Sequence, residues 1–88
     1  MLLSVVIPVM NEQGNIQPLI ARIAEALAGI EHEIIFADDG STDATVAEIE
    51  RFATPHTRIL VLNRNYGQTT AMAAGMDAAR RARQGDDL

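Results

Sequence analysis

A chain of 88 residues with 48% apolar side chains is long enough for one small domain with a core, and too short for two. It has no cysteine, which excludes a disulfide framework and a thiolate metal site and is consistent with a reducing, cytoplasmic location. The net charge of −5, with seven scattered arginines and no lysine, argues against a nucleic-acid partner, because phosphate binding needs a basic stripe.

The chain opens with an apolar run, Leu2 to Ile7, whose β-branched residues predict a first buried strand. Pro8 is expected to close this strand, because proline cannot donate to a strand ladder. The run lacks a basic start and leads directly into polar residues, so it fits neither a signal peptide nor a membrane span. A polar turn follows, and apolar residues at helical spacing then predict a first helix that Asn15 caps and Gly29 ends.

A second apolar run, Ile34 to Ala37, shows no polar alternation and predicts a strand buried on both faces, as in a parallel α/β sheet. Asp38 and Asp39 come where this strand stops, and Gly40 permits a tight turn. Ligands bind at the carboxyl edge of open α/β sheets, which makes the two acids candidates for a functional site. The alternative is that one aspartate holds the turn and the other is solvated.

The second half of the chain continues the alternation of helix and strand. Ser41 or Thr42 is expected to cap a second helix from about Asp43 to Ala53. The run Arg58 to Asn63 predicts a third buried strand. From Gln68 to about Arg83 an alanine-rich segment predicts a third helix, whose small residues allow a close approach to a sheet or to another helix.

The predicted element order, β-α-β-α-β-α, defines the expected architecture. Right-handed crossovers would wind it into a three-layer sandwich with a parallel, Rossmann-like sheet. Residues 1–88 then form a single partial domain, in which residues 86–88 are the expected lead-in to a fourth strand. The carboxyl ends of the strands should bring three polar loops together, at residues 8–15, 38–42 and 63–68.

These loops offer the groups that bind a nucleotide. Carboxylates accept from the N–H edge of a base or from ribose hydroxyls, and Arg64 or the start of the third helix can meet a diphosphate. A dinucleotide fold would need G-x-G-x-x-G after the first strand, where this chain has a single glycine. A phospho-receiver domain would place its paired acids after the first strand and not the second. His32 and His56 precede strands at the opposite edge, so no Ser/His/Asp constellation is evident.

Three ordered segments carry a resemblance to a known family. VVIPVMNE at residues 5–12, ADDGSTD at residues 37–43 and NRNYGQTTAMAAGMDAA at residues 63–79 resemble the opening motifs of family 2 glycosyltransferases. These are inverting enzymes with a GT-A fold that use a nucleotide sugar. The motifs are most similar to the polyprenyl-phosphate branch, which includes dolichol-phosphate mannosyltransferase and bacterial undecaprenyl-phosphate sugar transferases. The resemblance covers essentially the whole chain.

The resemblance implies a set of nucleotide-binding residues: Pro8, Met10, Asn11, Glu12, Asp38, Asp39, Gly67 and Gln68. The first four would lie along the base and ribose, and the last two near the diphosphate of a UDP- or GDP-sugar. Asp39, with Asp38 as the alternative, would accept from the uracil or guanine ring. Met10 stands where the family often has tyrosine, and Gln68 where it often has lysine or arginine, so both departures reduce the expected affinity.

The resemblance also implies Mg²⁺ or Mn²⁺ and a polyprenyl-phosphate acceptor for the full-length enzyme. The D-x-D metal motif and the catalytic base are expected beyond Leu88, so no catalytic or metal-binding residue is expected within this chain. The chain would be the N-terminal half of an enzyme on the cytoplasmic face of a membrane, inactive alone. The alternatives are a non-catalytic nucleotide-binding or assembly module, and a structural domain whose acids cap turns. The first strand would pair with the second and with a fourth strand beyond the chain, so its open edge should promote self-association.

Overall fold

The computed structural model describes residues 2–62 and 67–84. The predicted alternation of strands and helices is confirmed, in the order β1 (Leu3–Val9), α1 (Ile16–Ala26), β2 (His32–Asp38), α2 (Thr45–Phe52), β3 (Thr57–Val61) and α3 (Gln68–Gln84). The strands form one parallel sheet in the order β1-β2-β3. The turn expected at residues 63–66 and the lead-in expected at residues 86–88 lie outside the described residues.

The central strand β2 is buried on both faces, as its apolar run predicts. Ile34, Ile35, Phe36 and Ala37 are each 0–1% exposed. They pair with β1 on one side and β3 on the other, and helices cover both faces of the sheet. A strand in this position has no solvent side, which is why its sequence lacks polar alternation.

The face covered by α1 and α2 holds the larger part of the core. Its members are aliphatic or aromatic side chains from β1, α1, β2 and α2: Val9, Ile16, Ile20, Ile34, Phe36 and Ile49. Full burial of one such side chain contributes roughly 1.5–3 kcal/mol. The amphipathic spacing of the two helices therefore serves to bury one face of each against the sheet.

The face covered by α3 is packed by small residues, as predicted. Ala71, Gly75 and Ala79 are buried at successive turns of the helix. A Cβ atom added to Gly75 would lie 2.4 Å from the Cγ1 atom of Val6. The helix thus approaches β1 more closely than any residue with a side chain at position 75 would allow.

The prediction that Pro8 closes the first strand is wrong, because β1 includes Pro8 and ends at Val9. The Leu3 N–H donates to the Glu31 carbonyl, and the Val9 carbonyl accepts from the Asp39 N–H, both at the border with β2. Backbone groups alternate in direction along a strand, so the nitrogen of Pro8 faces the other edge. Its missing N–H therefore removes no hydrogen bond from the pairing of β1 with β2.

The start of α2 also differs from the prediction. The helix begins at Thr45 and not at Asp43, and Ala44 occupies its N-cap position without a side-chain hydrogen bond. Neither Ser41 nor Thr42 caps it. The Asp43 side chain instead accepts the N–H of Thr45 at 2.9 Å, which orders the residues just before the helix.

The start and end of α1 are closer to expectation. Asn15 occupies the N-cap position, but its side chain makes no capping hydrogen bond and instead donates to the Glu12 carboxylate at 3.1 Å. The helix ends at Ala26, and Gly29 follows with a positive φ of 81°. Within the described residues, none of the three helices is long and apolar enough to cross a membrane.

Candidate functional site

Asp38 ends β2 and is 1% exposed. Its Oδ2 atom accepts the N–H groups of Gly40, at 3.2 Å, and Ser41, at 3.0 Å. Its Oδ1 atom accepts the Ser41 hydroxyl. The Asp38 carboxylate therefore holds the turn that leaves β2, which is the structural role foreseen for one of the paired acids.

Asp39 is also buried, at 4% exposed, and contacts a different loop. Its backbone N–H donates to the Val9 carbonyl at 2.9 Å, which extends the pairing of β1 and β2 by one step. Its Oδ2 atom accepts the Gly67 N–H at 2.9 Å. Asp39 thus joins the ends of β1 and β2 to the start of α3, and it is not the solvated aspartate of the structural alternative.

A second set of hydrogen bonds joins the loop after β1 to the loop after β2. Asn11 has a positive φ of 53°, which turns its backbone N–H to the Ser41 hydroxyl oxygen at 2.9 Å. Its side-chain oxygen accepts the Thr42 N–H at 2.8 Å. Asparagine tolerates this backbone conformation better than most residues, so the residue type suits both contacts.

The next three residues extend the connection to the start of α2. The Glu12 N–H donates to the Thr45 hydroxyl oxygen at 2.8 Å, and the Gln13 N–H donates to the Asp43 carboxylate at 3.2 Å. The Gly14 N–H donates to the Glu48 carboxylate, with its two oxygens at 2.9 and 3.0 Å. We call these cross-loop bonds of residues 11–14 with residues 41–48 the loop lock.

One carboxylate in the loop lock has a shifted pKa. Asp43 accepts hydrogen bonds from the Thr45 hydroxyl and from the backbone N–H groups of Thr45 and Gln13. These donors favour the ionised carboxylate and lower the pKa of Asp43 below its ordinary value, and the Thr45 hydroxyl has the largest effect. Asp43 is therefore held as an anion at neutral pH.

The structure brings the loops after β1 and β2 and the start of α3 at Gly67 and Gln68 to one edge of the sheet, but it gives the candidate residues different surroundings. Asp39 and Gly67 are in direct contact, and Gln68 begins α3 next to them. Met10 follows β1 and is 40% exposed. Pro8 lies within β1 beside Ala37.

The side chains of the other two candidates from the first loop make hydrogen bonds to the protein itself. The amide oxygen of Asn11 accepts from Thr42, and the Glu12 carboxylate accepts from the Asn15 amide at 3.1 Å. These contacts order the loop, so both residues shape the exposed edge of the site.

Four residues of the loop lock were not proposed as site residues from the sequence: Gln13, Asp43, Thr45 and Glu48. The spacing of Thr45 and Glu48 is that of a capping box, in which the glutamate would return to the start of its own helix. In the structure Glu48 instead accepts from Gly14, 34 residues away. The spacing of Thr45 and Glu48 therefore indicated where the helix starts, but it did not indicate that the partner of Glu48 is Gly14.

The described residues do not match the ligand set of a divalent cation. Among residues 2–62 and 67–84, no three His, Cys, Asp or Glu side chains cluster as such a centre would require. Both carboxylate oxygens of Asp38 accept hydrogen bonds from its own turn.

The fold and its carboxyl edge define the class of protein. Three parallel strands, helices on both faces and a buried carboxylate where the loops meet are the architecture of the N-terminal half of a GT-A fold. The sequence pattern of glycosyl transferase family 2 matches residues 4–82. The chain therefore belongs to glycosyl transferase family 2, as its motifs indicated.

Two curated relatives with polyprenyl-phosphate acceptors in their names belong to the branch that the motifs resemble. The chain is 45% identical over 83 residues to the dodecaprenyl-phosphate galacturonate synthase of Rhizobium johnstonii, covering 89% of this chain and 25% of the relative. It is 46% identical over 80 residues to the undecaprenyl-phosphate 4-deoxy-4-formamido-L-arabinose transferase of Edwardsiella ictaluri. This match covers 84% of this chain and 24% of the relative. The chain spans about a quarter of the length of these relatives.

Proposed function

We propose that this chain is the nucleotide-sugar-binding part of an inverting glycosyltransferase that transfers a sugar to a polyprenyl phosphate. The observation that carries the proposal is the buried Asp39 carboxylate at the carboxyl edge, between the ends of β1 and β2 and the start of α3. The names of the relatives, a dodecaprenyl-phosphate and an undecaprenyl-phosphate sugar transferase, support the acceptor class. The protein would work in the cytoplasm, with the full-length enzyme at the cytoplasmic face of a membrane.

Asp39 recognises the base in this proposal. A carboxylate only accepts hydrogen bonds, so it suits the N–H edge of a uracil or guanine ring. One of its oxygens already holds the Gly67 N–H at 2.9 Å, which fixes the direction of the carboxylate before a ligand arrives. Such preorganisation reduces the ordering cost of binding.

The remaining candidates act around that contact. Exposed Met10 packs on the base, Pro8 shapes the end of β1, and Asn11 and Glu12 hold the loop beside the ribose. The diphosphate lies at Gly67 and Gln68, where the first N–H groups of α3 favour an anion.

The base contact is tested by calorimetric titration of UDP and GDP into three forms of the chain: wild type, Asp39→Asn and Asp39→Ala. Asp39→Asn keeps an oxygen that can accept from Gly67 but turns an amide donor to the base. We expect it to weaken binding by roughly 1.5–3 kcal/mol, the value of a charge-assisted hydrogen bond.

The two variants separate recognition from support. Asp39→Ala should weaken binding and also lower the unfolding midpoint in urea, because the Gly67 N–H loses its acceptor. Asp39→Asn should keep the midpoint near that of wild type. Equal nucleotide affinity in wild type and Asp39→Asn would remove Asp39 from the base site.

We also propose that the 88-residue chain does not transfer sugar alone, because the cation ligands and the base that deprotonates the acceptor would lie in the rest of the enzyme. The measurement is turnover of a nucleotide-sugar panel with Mg²⁺ or Mn²⁺ and a polyprenyl-phosphate acceptor. We expect transfer by the full-length protein only. Transfer by the 88-residue chain would contradict the proposal, and nucleotide binding without transfer by the full-length protein would favour a non-catalytic module.

A further inference from the structure

The first loop of the site, residues 10–15, is fixed by the sheet and the core only at its two ends. On one side the Val9 carbonyl accepts the Asp39 N–H at 2.9 Å, which holds the end of β1 against β2. On the other side Ile16 begins α1 and is 0% exposed. The six residues between these ends are all exposed, so burial does not determine their conformation. Polar contacts therefore have to do so.

The loop lock supplies these contacts through consecutive backbone N–H groups. Each N–H from residue 11 to residue 14 donates to a side chain from residues 41–48. The last acceptor is the Glu48 carboxylate of α2, whose two oxygens lie 2.9 and 3.0 Å from the Gly14 nitrogen. Hydrogen bonds to an ionised acceptor are stronger than those between neutral groups. Glu48 therefore holds the far end of the loop.

Gly14 is suited to this contact by its backbone conformation. Its φ is 90°, in the left-handed region that residues with a side chain rarely adopt. A Cβ atom added there would meet nothing within 4 Å, so glycine is needed for the backbone conformation and not for space. Gly29 has the same two features, with a φ of 81°, but it lies between α1 and β2 at the opposite edge of the sheet. The two glycines are therefore a matched pair, of which only Gly14 contacts Glu48.

We propose that Glu48 is a positioning residue for nucleotide binding, which acts through Gly14 and does not touch the ligand. The inference rests on the proposed function, in which residues 10–12 lie along the base and ribose. By holding the loop at Gly14, the Glu48 carboxylate keeps those residues in one arrangement before the nucleotide arrives. A loop that is already ordered binds its ligand at a smaller entropic cost.

The test is calorimetric titration of UDP and GDP into wild type, Glu48→Ala and Glu48→Gln. We expect Glu48→Ala to raise the dissociation constant about fivefold, the effect of losing roughly one net hydrogen bond. Removing a negative charge would by itself favour an anionic ligand, so this loss of affinity is opposite in sign to a charge effect. Glu48→Gln keeps an oxygen that can accept from Gly14 and should restore most of the affinity. Glu50→Ala removes the same charge from an exposed position of α2, and its affinity should not fall.

Gly14→Ala disturbs the same contact from its other side. It should weaken nucleotide binding about as much as Glu48→Ala does. The double variant should bind no more weakly than the weaker single variant, because both substitutions remove one shared contact. Gly29→Ala introduces the same backbone strain at the opposite edge, so it should lower the unfolding midpoint in urea without changing the dissociation constant. This control separates positioning of the loop from a general loss of stability.

The outcomes distinguish this inference from the proposed function. If Asp39→Asn weakens binding but Glu48→Ala binds like wild type, the positioning role is wrong and the proposed function stands. An equal loss of affinity in Glu48→Ala and Glu50→Ala, or in Gly14→Ala and Gly29→Ala, would also overturn the positioning role. A wild-type chain that binds neither nucleotide would overturn the proposed function and this inference with it.

Hydrogen exchange keeps the question decidable if Gly14→Ala does not fold. The Gly14 amide should exchange faster in Glu48→Ala than in Glu48→Gln or Glu50→Ala, because only the alanine at position 48 leaves it without an acceptor. Equal exchange of this amide in all three variants would show that Glu48 does not hold the loop.

Discussion

The two faces of the sheet are stabilised by different kinds of packing. On the face of α1 and α2, the large side chains of Ile16, Phe36 and Ile49 are fully buried and fill the space between helices and sheet. On the face of α3, Gly75 lies so close to Val6 that a Cβ atom would overlap with it. The stability of the first face depends on large side chains that fill the space, and that of the second depends on the lack of a side chain at Gly75.

This difference determines which substitutions each face tolerates. Removing atoms from the first face leaves a cavity, whose cost grows with its size. Adding atoms to the second face forces the helix away from the strand. Opposite changes in side-chain size should therefore be destabilising on opposite sides of the same three strands.

The largest effect is expected on the first face, from Phe36→Ala. Phe36 is 0% exposed at the centre of the core, so its removal should lower the free energy of unfolding by about 3–5 kcal/mol in a urea titration. Phe36→Leu, a smaller loss, keeps the experiment measurable if the alanine variant does not fold. Val61→Ala, at a position 59% exposed, is the control and should change stability by less than about 0.5 kcal/mol. A similar result for Phe36→Ala and Val61→Ala would contradict the packing of this face.

The second face is tested by Gly75→Ala. The added Cβ would lie 2.4 Å from the Val6 Cγ1 atom, and such overpacking lowers the free energy of unfolding by roughly 1–3 kcal/mol. The better helix propensity of alanine offsets up to about 1 kcal/mol of this loss. Val6→Ala in the same chain removes the overlapping methyl groups. The double variant should therefore lose less stability than the sum of the two single variants. Additive losses in the urea titrations would show that the contact between helix and strand is looser than described.

A smaller effect is expected in the loop lock, from Thr45→Val. The Thr45 hydroxyl accepts from the Glu12 N–H at 2.8 Å and donates to Asp43, so valine leaves two groups without this partner. We expect a loss of about 1–2 kcal/mol in the free energy of unfolding. Thr70→Val, at an exposed position of α3, makes the same chemical change outside the loop lock. Equal losses of stability from Thr45→Val and Thr70→Val would show that the Thr45 hydroxyl does not stabilise the loop lock.

The smallest effect concerns pH. The pKa of Asp43 is lowered in the folded chain, so its contribution to stability is present above the unfolded pKa and is lost as pH falls through the folded pKa. Urea midpoints of wild type should therefore fall as pH drops below about 4, the ordinary aspartate range. Asp43→Asn should show a shallower fall over the same range. Parallel pH profiles for the two proteins would mean that other carboxylates account for the acid sensitivity.

The element order and the two kinds of packing could be predicted because their signals are local. Four consecutive apolar residues, Ile34 to Ala37, indicated a strand without a solvent side, and this burial is what the structure shows. The small residues of α3 indicated a close approach before the contact of Gly75 with Val6 was known. Both patterns follow from the spacing of side chains within one element.

The errors arose where a residue's partner is distant in the sequence. Pro8 was expected to end its strand, and it does not because its nitrogen faces the edge away from β2, which no local pattern reveals. Ser41 or Thr42 was expected to cap α2, but Asn11 contacts both of them from 30 and 31 residues away. The contact of Asp39 with Gly67 likewise joins residues 28 positions apart, whereas Asp38 accepts from Gly40 and Ser41 within its own turn.

The length of chain between the partners of the loop lock has a consequence for folding. Its hydrogen bonds join residues 30 to 34 positions apart, so we expect them to form after β1 and β2 have aligned in register. The entropic cost of closing so long a loop arises before such contacts contribute any stability. The candidate site would then be completed late in folding, after its supporting sheet, and substitutions in it should speed unfolding more than they slow folding.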